Sequence, residues 1–215
     1  MKIVFFGPPA VGKGTHAGLI SKHYGIPKIS TGEIFRDEIK AGTKLGREAD
    51  KYIKKGHLVP DNIVIQILKN KLASEECRKG FILDGFPRTL VQAKELDKIE
   101  NIQLVVNMVA SRDTLMARMT NRWTCSRCGA IYNTLFAKPK KPGICDVCGG
   151  KLYQRDDQRP DVVSERLEVY EKQTKPVIKY YREKGILIDV DAEGEKDDVH
   201  KRILAAVEEY FKGKQ

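Results

Sequence analysis

Two groups of residues in this 215-residue chain carry side chains whose types and spacing suit chemistry. Cys125, Cys128, Cys145 and Cys148 form two CxxC pairs separated by 16 residues. Four thiolates so spaced can close a tetrahedron around a structural metal, leaving no open position for a substrate. Zinc suits them best, iron is the second candidate, and thiol or disulfide chemistry is the third. The remaining cysteine, Cys77, reads as a helix-end thiol.

The second group is GPPAVGKGT, residues 7 to 15. Gly7, four residues, Gly12 and Lys13, with a hydroxyl at Thr15, nearly reproduce the P-loop that cradles phosphate, although Gly14 separates the lysine from the hydroxyl residue. Backbone amides of residues 10 to 15 would point at phosphate oxygens from a helix N-terminus, with Lys13 adding a mobile charge. A further motif, FILDGFPR, places Asp84 where a carboxylate can hold magnesium through water, beside Gly85, Pro87 and Arg88.

These groups need elements to position them. KIVFF, FILD, QLVVNMV and ILIDV are apolar runs of strand length, separated by longer charged segments of helical spacing, and a short strand fits Pro27 to Ser30. Runs of this kind indicate a parallel sheet buried on both faces, an α/β fold. Ser30 and Glu33 have capping-box spacing, a polar helix runs from near Thr43 to Gly56, and Pro60 with Asp61 opens the next helix. Regularity stops from Arg122 to about Arg159, which reads as an insertion.

Lys and Arg number 39 against 29 Asp and Glu, a net charge of +10. Such a surface suits nucleotides, nucleic acid or an anionic membrane. No apolar run approaches the roughly 20 residues needed to cross a bilayer, and no signal peptide is evident, so the expected location is the cytoplasm. Residues 122 to 159 hold eight Lys or Arg against three Asp, half of the surplus. That enrichment fits an RNA-binding zinc ribbon or a cover for ATP, and Arg122 and Arg155 at the two margins favour the cover.

GPPAVGKGT, STGEIFR, GHLVPD, LDGFPRT with Gln92, NRWTCSRCG, CDVCGGKLYQRDD and SERLEVY together resemble, in order and spacing, the adenylate kinases with a long, zinc-bearing lid. The resemblance spans almost the whole chain. It implies a P-loop nucleoside-monophosphate kinase fold: a five-stranded parallel sheet flanked by helices, with a core of residues 1–29, 60–121 and 160–215, an AMP-binding helical insertion at 30–59 and a lid at 122–159. The implied reaction is phosphoryl transfer from MgATP to AMP, giving two ADP, without a general base; a UMP or CMP kinase is the alternative. A monomer with ATP and AMP as partners, and neither nucleic acid nor membrane, is implied as well.

By the same resemblance, Ala10, Val11, Gly12, Lys13, Gly14 and Thr15 hold ATP phosphates, and Arg118, Arg122, Ile131, Tyr132 and Gly194 complete the ATP site. Thr31, Arg36, His57, Leu58, Val59, Gly85, Phe86, Pro87, Arg88 and Gln92, together with Arg155 and Arg166, form the AMP site, with Gln92 reading adenine. Arg155 and Arg166 reach the transferred phosphoryl group, and Lys13, Arg88, Arg122 and Asp84 join them in catalysis. Departures from the family pattern fall at Ala10 and Val11, which stand where the family has glycine and a small residue, and at two places beyond the loop. Ala10 is tolerable only if it keeps negative φ; His16 replaces a glutamine and has no assigned role; and the acidic pair after Arg155 falls on Asp157 and Gln158 or, with a shift, on Asp156 and Asp157. His23, His57 and His200 read as solvated or structural, and Trp123 as packing at the lid hinge.

Overall fold

The computed structural model describes residues 1–214. β1 (Lys2–Phe6) runs through the phosphate loop into α1 (Lys13–Tyr24), followed by β2 (Lys28–Ser30), α2 (Thr31–Lys40), α3 (Lys44–Ile53) and α4 (Asp61–Leu72). Next come β3 (Phe81–Asp84), α5 (Leu90–Ile99), β4 (Leu104–Val109) and α6 (Arg112–Thr120). The cysteine segment contributes β5 (Arg122–Cys125), β6 (Ile131–Asn133) and β7 (Leu152–Tyr153). α7 (Pro160–Val169), α8 (Lys175–Glu183), β8 (Leu187–Asp191) and α9 (Lys196–Lys212) return the chain to the main sheet.

β2, β3, β1, β4 and β8 form that sheet in this order, all parallel. The expected apolar runs are its strands, and their alternation builds two cores. Ile3, Phe5, Ile82, Leu104 and Val106 face α1, α6 and α9 through Ile20, Leu115 and Ile203. Val4, Phe6, Leu83 and Val105 face α4, α5 and α8 through Leu68, Leu96 and Tyr181. Both faces are therefore covered, as near-continuous apolar strands require. The order reverses direction at β1, and an open α/β sheet offers its ligand crevice at the carboxyl end of such a switch point.

The parallel register puts Phe5 level with Asp84 and Asp84 level with Ser30. The phosphate loop, Asp84 and the start of α2 thus share one edge. Ser30 caps α2 by accepting from the Glu33 amide at 3.4 Å, but the Glu33 carboxylate pairs with Lys28 at 2.6 Å instead of reaching back. Only one half of the expected capping box forms. Thr43 caps α3 through the Gly46 amide, in agreement with the predicted helix start.

Residues 122–153 form a separate antiparallel sheet in the order β6, β5, β7. Its small core consists of Cys125, Tyr132, Cys145 and Leu152, against which Trp123 packs. Trp123, the second residue of β5 and next to the margin of this segment, packs onto the cysteine core. Cys77 is buried in a short 3₁₀ turn after α4, where its thiol donates to the Lys71 carbonyl at 3.4 Å.

Candidate active site

The loop after β1 departs from its predicted backbone at one position. Ala10 has φ +62°, so the expectation of negative φ is overturned. A left-handed alanine costs roughly 1–2 kcal/mol, and such strain survives only where the surroundings over-determine the backbone. Gly7 shows how tightly they do so: with φ +133°, a Cβ there would lie 2.4 Å from the Met108 carbonyl oxygen on β4. α1 then begins with no side-chain cap, which leaves its first amides free to donate to an anion.

Lys13 folds back over this loop and donates to the carbonyls of Gly7 at 2.8 Å and Pro8 at 2.7 Å. Burial lowers its pKa to about 7; Asp84 opposes the shift, while Arg88, Arg166 and Arg122 add to it. Asp84 accepts from the Ser30 hydroxyl at 3.2 Å. A Cβ on Gly14 would come within 3.1 Å of the Asp84 carboxylate. The glycine that breaks the strict motif therefore lets α1 approach this carboxylate closely.

Around these two residues the fold gathers arginines from distant segments: Arg36 on α2, Arg88 after β3, Arg122 on β5, Arg155 after β7 and Arg166 on α7. Burial pushes Arg122 down to about 9, reinforced by Arg155, Arg166 and Arg36 against the attraction of Asp157. Arg166 falls to about 10 for the same first reason, with Asp157 opposing and Arg155, Arg88 and Arg36 adding. Guanidinium does not give up its proton in proteins, so these shifts measure desolvation and mutual repulsion. Six cations, Lys13 included, face two central carboxylates, Asp84 and Asp157. The arrangement is a receptor for polyanions.

Asp157, common to both alignments of the acidic run, holds its centre. It accepts from Arg155 at 2.8 and 2.7 Å in a fork and from Arg166 at 2.9 Å. Although burial opposes ionisation, Arg166 and Arg155 hold its carboxyl down to about 2. Asp156 makes no such pair, and Gln158 is buried, accepting from the Arg155 amide at 3.0 Å. Nothing in the local sequence distinguished these neighbours, because the difference lies in Arg166 arriving from α7.

A cavity of about 270 Å³ opens beside the cations, lined by Thr31, Arg36, His57 to Val59, Gly85, Arg88, Gln92, Arg155 and Arg166 among others. All the non-proline polar residues expected for the acceptor site line it; Phe86 and Pro87 line an adjoining cavity with Lys13 and Arg166. His57 contacts Glu165 of α7 at 3.3 Å. On the other side of the loop, Arg118 donates to Val11 at 3.3 Å and to Gly194 at 3.2 Å, joining three of the positions expected around ATP. Ile131 is exposed nearby in sequence, but Tyr132 turns inward and its hydroxyl donates to Cys145 at 3.5 Å. Only the backbone of Tyr132 remains for a ligand.

His16, without a role in the sequence, sits beneath the loop, and its ring would meet a Cβ on Gly12 at 3.2 Å. It stacks on His200 with ring centroids 6.2 Å apart. Burial, then His200 and Arg118, lowers its pKa to about 4, which makes it a neutral support for the loop. The sulfurs of Cys125, Cys128, Cys145 and Cys148 lie within 4.8 Å of one another. The Arg127 amide donates to Cys125 at 3.4 Å, and a Cβ on Gly150 would fall 2.8 Å from that sulfur. Crowded thiols that receive amide hydrogens and exclude bulk fit a tetrahedral thiolate-loving ion.

Comparison with known proteins agrees with this architecture. The family model described as adenylate kinase matches residues 5–186. An adenylate kinase of Archaeoglobus fulgidus is 49% identical over 213 residues, 97% of this chain and 98% of that protein. One from Methanosarcina mazei is 50% identical over 202 residues, 92% of this chain and 93% of its own. One from the bacterium Caldicellulosiruptor saccharolyticus is 45% identical over 212 residues, covering 96% and 99%. With a parallel α/β core, a cationic crevice at its switch point and full-length relatives of one name, the chain belongs to the adenylate kinase family of nucleoside-monophosphate phosphotransferases.

Proposed function

We propose that this enzyme transfers the terminal phosphoryl group of MgATP to AMP, giving two ADP, by positioning and electrostatics alone. The observation that carries this reading is the cluster of desolvated cations between two binding spaces, with too few carboxylates to neutralise it. ATP phosphates lie on residues 10 to 15 and Lys13, with Arg118, Gly194 and the backbone at 131–132 around the nucleoside. AMP occupies the cavity of Thr31, Arg36, residues 57 to 59, residues 85 to 88 and Gln92. Arg88, Arg122, Arg155 and Arg166 converge on the phosphoryl group in flight, where a loose transition state spreads charge over its oxygens. Magnesium arrives with ATP and neutralises phosphate charge, and Asp84 is the carboxylate placed to hold it through water.

Asp157 serves in this reading as an internal stand-in for phosphate, occupying the fork of Arg155 and Arg166 until a substrate oxygen takes it over. Residues 1–29, 60–121 and 160–215 act as the core, 30–59 as the acceptor clamp and 122–159 as the lid. Zinc held by the four cysteines supplies rigidity to a lid with only a small core of its own. The test is a coupled assay with AMP, CMP, UMP and GMP as separate acceptors, with metal analysis on the same sample. AMP is expected to dominate with about one zinc per chain; preference for a pyrimidine would reject the acceptor assignment.

Lys13 gives a pH-dependent expectation. In the free protein its pKa is near 7, and a polyphosphate raises it by supplying the missing countercharge. At pH 8 nucleotide binding should therefore take up a proton, read as a dependence of calorimetric binding enthalpy on buffer ionisation enthalpy. Between pH 7 and 10.5 the unfolded chain holds more protons on this lysine than the folded one does. Its contribution therefore makes the free fold more stable as pH rises through that window. Equal enthalpies in phosphate and Tris buffers would show that Lys13 is already charged.

A further inference from the structure

Gln92 is buried at 2% exposure, and both ends of its amide are committed on one side. Its Oε1 accepts from the Arg88 amide at 2.7 Å, and its Nε2 donates to Asp61 Oδ1 at 2.7 Å. Asp61, the first residue of α4, accepts through its other oxygen from the Thr89 hydroxyl at 3.0 Å. It does not line the acceptor cavity, whereas Gln92 does. Asp61 therefore stands one layer behind the residue proposed to read the base.

A side-chain amide can rotate half a turn and exchange its donor and acceptor at almost no steric cost, so its partners decide its polarity. A carboxylate only accepts, and a backbone amide only donates. Together they leave Gln92 one N–H and one oxygen lone pair to offer, each in a fixed place. Adenine presents an amino donor at C6 beside the acceptor N1 and matches this pair. A 6-oxo purine presents an acceptor at C6 beside an N1–H donor and matches only the rotated amide. Rotation would set the Gln92 oxygen against the Asp61 carboxylate and its NH₂ against the Arg88 N–H.

We propose that Asp61 is a specificity-determining positioning residue, fixing the polarity of the Gln92 amide so that the acceptor site takes a 6-amino purine monophosphate and rejects its 6-oxo counterpart. This rests on the reading of the cavity as the AMP site. A site with buried hydrogen-bonding groups discriminates strongly because the wrong ligand leaves them unpaired. Part of that discrimination comes from the cost of turning the amide.

The test measures kcat/KM for AMP and for IMP in the unaltered enzyme, in Asp61→Asn and in Asp61→Ala. Asparagine keeps the volume but can face Gln92 with either polarity; alanine leaves the Arg88 amide as the remaining pin. The AMP to IMP ratio is expected to fall about tenfold or more in either variant, through a gain in relative IMP use. A ratio does not depend on how much of the sample is folded, so reduced stability leaves the readout intact. Equal losses on both acceptors, with the ratio within about twofold of the original, would mean that Asp61 only ties α4 to α5 and would overturn the proposal. If the unaltered enzyme uses neither purine and prefers UMP, the acceptor reading fails and takes this inference with it.

Discussion

Arg88→Ala is expected to lower turnover of ATP with AMP by on the order of 10³ or more while leaving the melting temperature unchanged or higher. The two halves of this result have one cause. Arg88 is desolvated, and it adds positive charge to a cluster in which Lys13 and Arg166 both feel it as repulsion. Its Nε holds the Gly85 carbonyl at 2.8 Å, but its attraction to Asp84 and Asp157 is shared with five other cations. Removing it relieves the free protein and deprives the transition state of a positioned guanidinium. Steady-state kinetics beside a thermal melt provides the measurement. Near-normal turnover would discredit the site, and a melt lowered by many degrees would show that Arg88 serves mainly the fold.

The second large effect is expected for the cysteine module. Replacing Cys145 and Cys148 together by serine should abolish the bound metal and lower the first thermal transition by about 10 °C or more, with activity at low temperature partly kept. Binding of structural zinc in small modules is worth roughly 10–16 kcal/mol, and this module has little else. Its core is two cysteines, Tyr132 and Leu152, while Ile131, Leu135, Phe136 and Val147 remain exposed. Tyr132 donates to the Cys145 sulfur and accepts from the Asp146 amide at 2.7 Å, so loss of that sulfur also unpins the aromatic ring. The separate main sheet keeps its own two cores, so the damage should stay local. Scanning calorimetry with metal analysis decides the matter, and an unchanged melt in the metal-free variant would remove the structural role.

Much of this architecture was legible because its causes are local. Phe81, Ile82 and Leu83 before Asp84 form a strand wherever they are buried on both faces, and Thr43 caps a helix whatever lies beyond it. Each CxxC turn sets its own two sulfurs on one side of the chain, and the short separation between the turns lets the four meet. Other features were out of reach because their causes lie far along the chain. Ala10 takes a left-handed backbone in a loop that β4 approaches closely at Gly7 from a hundred residues away, and propensity alone argued against it. Asp61 read only as the opening of a helix, since its partners Thr89 and Gln92 reach it across the fold.

The sequence by itself therefore determined the strands, the phosphate loop, the sulfur cluster and the family to which they belong, for each is written within a few consecutive turns of chain. The tertiary structure decided which carboxylate sits between the arginines, which way Tyr132 points and how strongly the cations oppose one another. Those outcomes depend on desolvation and on distances between segments such as α2, β5 and α7. Charges interact through space according to how much water the fold leaves between them, and no local pattern records that quantity.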